Sequence, residues 1–238
     1  MNNNIIHFRE IKFYNYSYSY IIKKITREGG YLVAPAASSL STILKNKLYY
    51  HSLKNSSIAI LDSGFFCVLL RVFRLKKIKK LSGYLFLRKI ISTNRIKHQK
   101  ILLINPSLNE DRINTKFFRK NNFKKICNYI APQYRKNKII LDVKLINLIN
   151  KAKPKFILIN IGGEKQEILA EYIYRKCNNK KIVLFCLGAA IAFLTKSQAP
   201  ISPLIDRWYL GWLLRLIYNP MAYSSRVLKS ILLIKLFF

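Results

Sequence analysis

The apolar run Phe156-Ile157-Leu158-Ile159-Asn160-Ile161 stops at Gly162-Gly163 and passes directly into Glu164-Lys165-Gln166-Glu167 and a helix-like pattern. This reads as a strand, a glycine turn and a helix N-terminus, the junction on which α/β architectures are built. Free N–H groups and the positive end of the helix dipole suit an anion at such a junction, and glycines let a phosphate approach the main chain. Any α/β protein also needs tight strand-to-helix turns, so the double glycine can equally be structural.

Four further runs have the same character: Tyr31–Val33, Ile58–Leu61, Ile101–Ile104 and Ile182–Leu187. Segments with helical spacing lie between them, such as Ile139, Val143, Ile146 and Ile149 ahead of the Pro154 breaker. Strands alternating with helices predict a Rossmann-like, mostly parallel sheet covered by helices on both faces. Ligands of such sheets gather beyond the carboxyl ends of the strands. That rule nominates Pro35–Ser39, Asp62-Ser63-Gly64, Asn105-Pro106, Gly162–Gln166 and Gly188–Ala190.

The expected organisation is a polar, tyrosine-rich lead-in over 1–30, whose alternating Tyr14, Tyr16, Tyr18 and Tyr20 suit an edge strand or a loosely ordered segment, an α/β domain over 31–203, and a helical C-terminal appendage over 204–238. The appendage is basic and apolar, ending Leu228-Lys229-Ser230-Ile231-Leu232-Leu233-Ile234-Lys235-Leu236-Phe237-Phe238, and is read as membrane-associating. Placed on one helix, Arg207, Arg215, Arg226 and Lys229 fall within an arc of about 100°, although Pro220 interrupts that helix.

Lysine and arginine number 43 against 10 acidic residues, a net +33 that draws the chain toward a polyanion. Nucleic acid, anionic membrane and sugar nucleotides all qualify. A hydrophobic content of 51% argues against disorder. Cys67, Cys127, Cys177 and Cys186 are too scattered for a metal pair or a disulfide framework, so a reduced compartment and no metal are expected. The N-terminus lacks the pattern of a secretory signal. The longest apolar run, Ile182–Leu194, is shorter than the roughly 20 residues that span a bilayer.

Among residues suited to chemistry, Asp62 stands at a strand's carboxyl end in a chain poor in acids, where it can serve as a general base or merely fix a turn or cap a helix. Gln166 can both donate and accept hydrogen bonds, as recognition of a sugar or uracil requires, and Lys165 offers a point charge for a diphosphate. Glu167 reads instead as a cap or an intramolecular partner.

Gly162 with Lys165-Gln166-Glu167 resembles the G-x-P-K-Q-E segment of the WecG/TagA/CpsF glycosyltransferases (glycosyltransferase family 26), with Glu164 where proline is usual. Gly188-Ala189-Ala190 and Ala199-Pro200 resemble that family's glycine-alanine loop and R-A-P segment. Trp212-Leu213-Leu214-Arg215-Leu216 followed by Asn219-Pro220 resembles its E-W-L-Y-R-L…E-P signature. The resemblance is close over about residues 154–226 and weaker over 31–153.

It implies a catalytic role for Asp62, nucleotide or substrate contacts at Gly162, Gly163, Lys165, Gln166 and Gly188, and closure of Arg215 and Arg226 over the diphosphate. Pro35 and Lys80 fall on the acceptor side. It further implies an inverting, metal-independent enzyme without cofactor, cytoplasmic and peripheral at the inner membrane face. Such an enzyme moves an N-acetylmannosamine-type or related hexose from a UDP-sugar to a polyprenyl-diphosphate-linked saccharide for cell-wall or exopolysaccharide assembly. Self-association is open.

Several positions depart from the family pattern. Ala34-Pro35-Ala36 replaces T-P-N, Lys80 an arginine, Leu85 and Ala192 aspartates, Gln198 the R-A-P arginine and Gly211 a glutamate. The competing readings are a nucleic-acid-binding protein, disfavoured because no helix-turn-helix or zinc spacing is present, and an inactive membrane-associated relative.

Overall fold

The computed structural model describes residues 4–74, 78–135, 137–195 and 220–238. Its centre is an eight-stranded sheet of order β1-β2-β4-β3-β8-β7-β5-β6. The strands are β1 (Ile5–Phe8), β2 (Ile11–Tyr14), β3 (Gly30–Val33), β4 (Ile58–Ile60), β5 (Ile101–Asn105), β6 (Ile126–Ile130), β7 (Phe156–Ile159) and β8 (Val183–Cys186). All pair in parallel except β1 with β2. The expected α/β architecture is therefore present.

Every residue of β3, β4, β5, β7 and β8 is buried, as in a parallel sheet covered on both sides. Successive strand residues point into different cores. Val33, Ile157 and Ile159 enter one cluster, whereas Leu32, Phe156 and Leu158 enter the other. Helices α2 (Ala37–Leu40), α3 (Lys47–Lys54), α4 (Gly64–Arg74), α8 (Val143–Ala152) and α9 (Lys165–Lys176) cover the first face. The second is covered by α1 (Tyr18–Glu28), α5 (Gly83–Ser92), α6 (Asn94–Lys97), α7 (Leu108–Lys120) and α10 (Ala190–Leu194).

Residues 4–30 supply β1, β2 and α1, so the edge strand that the lead-in allowed is present as a hairpin, although the alternating tyrosines themselves run from the end of β2 into α1. The hairpin turns through Arg9 and Glu10, both at positive φ (45° and 62°), the turn chemistry that matches the right-handed twist of paired strands. Ser17 caps α1 by accepting the Tyr20 N–H.

The C-terminal segment returns to this same edge. Helix α11 (Pro220–Ile231) packs against α2, and a 3-10 turn follows at Leu232–Leu236. Leu233 and Leu236 are buried in the first core cluster, the Phe237 ring lies tilted against that of Phe8 with centroids 4.8 Å apart, and Arg9 Nε donates to the Leu236 carbonyl at 2.8 Å. Each buried leucine contributes about 1.5–3 kcal/mol, so the end of the chain helps hold the N-terminal hairpin in place.

Candidate active site

The loops that follow β3, β4, β7 and β8 meet at the carboxyl edge of the sheet. Ser63 caps α4 by accepting the Phe66 N–H, which leaves Asp62 another role. Asp62 Oδ1 instead accepts the N–H of Gly83 at 2.7 Å, at the first turn of α5. The two segments are registered by a second bond, from the Leu81 N–H to the Leu61 carbonyl. Asp62 is only partly buried, and both it and Lys80 act electrostatically on the buried Cys67 thiol.

Gly83 is a site residue that no sequence motif marked. A Cβ on it would stand 3.3 Å from the Leu187 carbonyl oxygen, 3.6 Å from Ala34 Cβ and 3.6 Å from Asp62 Oδ1. Three strand ends thus converge on one glycine: β3 through Ala34 beside the buried Pro35, β4 through Asp62, and β8 through Leu187. The available signal was a Ser-Gly pair opening an apolar helical pattern, which marks a helix start without showing what crowds it.

On the other side of β8, Gly162 (φ 88°) and Gly163 are exposed and lead into α9, which Lys165 opens as a half-buried residue. Gly163 approaches α2 closely, since a Cβ there would lie 3.2 Å from Ser39 Oγ. Glu164 adopts φ 68° and ψ −48°, near the rare γ-turn conformation, and its carboxylate accepts from Asn46 Nδ2 at 3.2 Å. Proline, held near φ −65°, cannot take this shape. The departure from the family motif at 164 therefore comes with a different backbone.

Gln166 is fully buried. Its Oε1 accepts the Gly188 N–H at 3.2 Å, its Nε2 donates to Glu167 Oε1 at 2.8 Å, and its carbonyl accepts the Cys186 thiol at 3.4 Å. The amide expected to read a ligand is thus engaged with the β8 loop. Glu167 is equally buried, and its Oε2 has no hydrogen-bond partner among the described residues. Burial pushes its carboxyl up to about 7, against the opposing pull of the Gln166 amide and nearby backbone N–H groups at 164 and 167.

That shift has a stability consequence. The folded chain holds this proton more tightly than the unfolded chain, so the contribution is complete below about pH 4.5 and is lost as pH rises to about 7. Over that window the loss is on the order of 3 kcal/mol. Glu167→Gln is expected to flatten the pH dependence of the urea midpoint between these limits. A pH dependence that is the same in wild type and in Glu167→Gln would contradict the buried carboxyl.

Contacts therefore run without a break from Asp62 through Gly83 to Leu187-Gly188, and on to Gln166 and Glu167. Arg226 is exposed on α11, whose partner α2 lies against Gly163, while Arg215 falls outside the described residues. Among the described residues, no three His, Cys, Asp or Glu side chains gather to hold a metal, and no helix is long and apolar enough to cross a membrane.

No curated protein matches the chain. The profile described as "Glycosyl transferase WecG/TagA/CpsF family" matches residues 6–238, from the N-terminal hairpin to the last residue. A parallel sheet with an acid, crowded glycines and a strand-glycine-helix junction at its carboxyl edge accords with that match: the chain belongs to the WecG/TagA/CpsF family of glycosyl transferases.

Proposed function

We propose that the chain transfers a hexose-type residue, of the N-acetylmannosamine kind, from a UDP-sugar to a polyprenyl-diphosphate-linked saccharide during assembly of a cell-surface polysaccharide. The observation that carries the reading is the placement of Asp62 at the junction of the β3, β4 and β8 loops, held by the Gly83 N–H and still reachable by solvent. A carboxylate so fixed can take the proton of an acceptor hydroxyl as that oxygen attacks the anomeric carbon. The bond from that carbon to the diphosphate oxygen breaks, its electron pair leaves with UDP, and attack from the opposite face inverts the anomeric centre.

Charge grows on the diphosphate as this bond breaks, so cations that meet it there stabilise the transition state more than the ground state. Arg215, Arg226 and Lys165 are assigned to that task, with Gly162, Gly163 and Gly188 lining the donor's approach. Gln166 is given a share in shaping this subsite. Pro35 and Lys80 belong to the acceptor side. The reading assigns no part to a metal or cofactor.

A lipid-linked acceptor calls for a membrane surface. The C-terminal segment exposes Leu228, Ile231, Leu232 and Phe238 together with Arg226, Lys229 and Lys235, and Phe73 of α4 packs beside Phe237 and Phe238. Apolar and basic side chains combined in this way suit the interface of an anionic bilayer, and peripheral attachment at the cytoplasmic face follows. The test is release of UDP from a panel of UDP-sugars, with and without a lipid-diphosphate-linked saccharide. Acceptor-dependent release from one donor supports the reading, and none from any donor opposes it.

A further inference from the structure

We infer that Glu167 is a positioning residue that sets the Gly188 loop through Gln166. The sequence makes Gln166 and Glu167 neighbours in the first turn of a helix, where both would ordinarily face solvent. Here each is about 1% exposed. The order of bonds is directional. Gln166 Nε2 can only donate, and Glu167 Oε1 receives it at 2.8 Å. With the amide nitrogen so committed, the amide oxygen faces the β8 loop and accepts the Gly188 N–H at 3.2 Å.

Without the carboxyl, nothing in this arrangement prevents the amide from turning its nitrogen toward Gly188, where donor would meet donor. The flanks of this loop are set by the core, with Leu187 and Ala190 buried and the Ala190 N–H bonded to the Leu187 carbonyl at 3.3 Å, so Gly188 itself is the part left to the Gln166 amide. Gly188 sits at φ 62°, and a Cβ on it would meet nothing within 4 Å. Its neighbour Leu187 supplies the carbonyl that crowds Gly83, which in turn holds Asp62. The buried Glu167–Gln166 pair therefore fixes, at one remove, the wall of the site opposite the glycine turn. Glu164, Tyr49 of α3 and Cys186 of β8 lie within electrostatic reach of this fully buried carboxyl.

The catalytic consequence rests on the transferase reading, but the positioning role does not, and two readouts keep them apart. The first is amide hydrogen exchange over residues 187–190 in the free protein. Glu167→Ala is expected to raise exchange there at least tenfold, while the β5 and β7 strands stay protected. Glu167→Gln, which keeps a carbonyl oxygen to accept from Gln166, is expected to restore protection to within about threefold. If Glu167→Ala does not fold, Gln166→Met decides alone, since it removes the acceptor at Gly188 while leaving the carboxyl.

Unchanged exchange at 187–190 in the folded alanine variant, or in Gln166→Met where that variant must decide, overturns the proposal. The second readout is kcat/KM for the donor, with rescue by the conservative variant. Glu167→Ala is expected to lower kcat/KM for the donor at least tenfold, with recovery in Glu167→Gln. A wild-type chain that turns over no UDP-sugar, yet shows the exchange pattern, would sink the transferase reading and leave the positioning role standing.

Discussion

Asp62→Asn is expected to lower turnover by about 10²- to 10⁴-fold while leaving the fold and UDP affinity unchanged, the range associated with losing a positioned general base. Asparagine is the informative choice because of what Asp62 does in the fold. The asparagine carbonyl oxygen can still accept the Gly83 N–H, so the 2.7 Å bond that anchors the loop is retained. What is lost is the negative charge and with it the ability to take a proton. Asp62→Ala would confound the two, since it also frees an N–H at the start of α5. If Asp62→Asn keeps turnover within a few-fold of wild type, the carboxylate serves the turn alone. The proton must then leave by another route.

The second large effect is expected from Gly83→Val. Valine keeps the backbone N–H that holds Asp62, so no hydrogen bond is removed. Its Cβ would stand 3.3 Å from a backbone carbonyl, closer than ordinary contact, and its two methyl groups must then enter the space shared by Ala34, Asp62 and Leu187. Backbone at a strand end yields poorly, so the loops shift. A displacement of about 1 Å at reacting groups can cost on the order of 10²-fold in rate. Turnover should fall by about that factor, and overpacking at this buried position should lower the thermal midpoint as well, by the equivalent of about 1–3 kcal/mol. A variant with a wild-type rate would show that the convergence on Gly83 is packing without consequence for the site.

The parts of this molecule that were legible in the sequence are those whose environment is uniform. Strands β3, β4, β5, β7 and β8 are buried on both faces and read as unbroken apolar runs, and each appears within a residue or two of its expected span. The strands that were not legible are the half-covered ones. In β1 and β2, His7 and Lys12 alternate with core residues, and β6, at the far edge, carries Asn128 on an exposed position. A local window cannot distinguish such alternation from a polar lead-in.

Long-range closure was equally hidden. The contact of Phe8 and Arg9 with Phe237 and Leu236 joins the two ends of the chain, and neither end signals the other. The site divides on the same principle. Asp62 and the glycine junctions stand out because residue type and strand end coincide. The burial of Gln166 and Glu167 depends on where β8 delivers Gly188, which no spacing within 162–167 encodes. The charge that admitted a nucleic-acid reading comes without stacking partners at Phe13, Phe66, Phe86, Phe118, Phe156 and Phe185, which are all buried and unable to stack on bases.

The most direct measurement is UDP binding by calorimetry to the wild-type chain and to Asp62→Asn, at moderate and at high salt. Saturable binding that survives high salt and is equal in both proteins is the expected result, since the base acts on the acceptor and the nucleotide is held elsewhere. Binding that collapses with salt and does not exceed that of a generic polyanion would contradict a nucleotide-sugar site, leaving the net charge of +33 to serve a membrane or a nucleic acid instead.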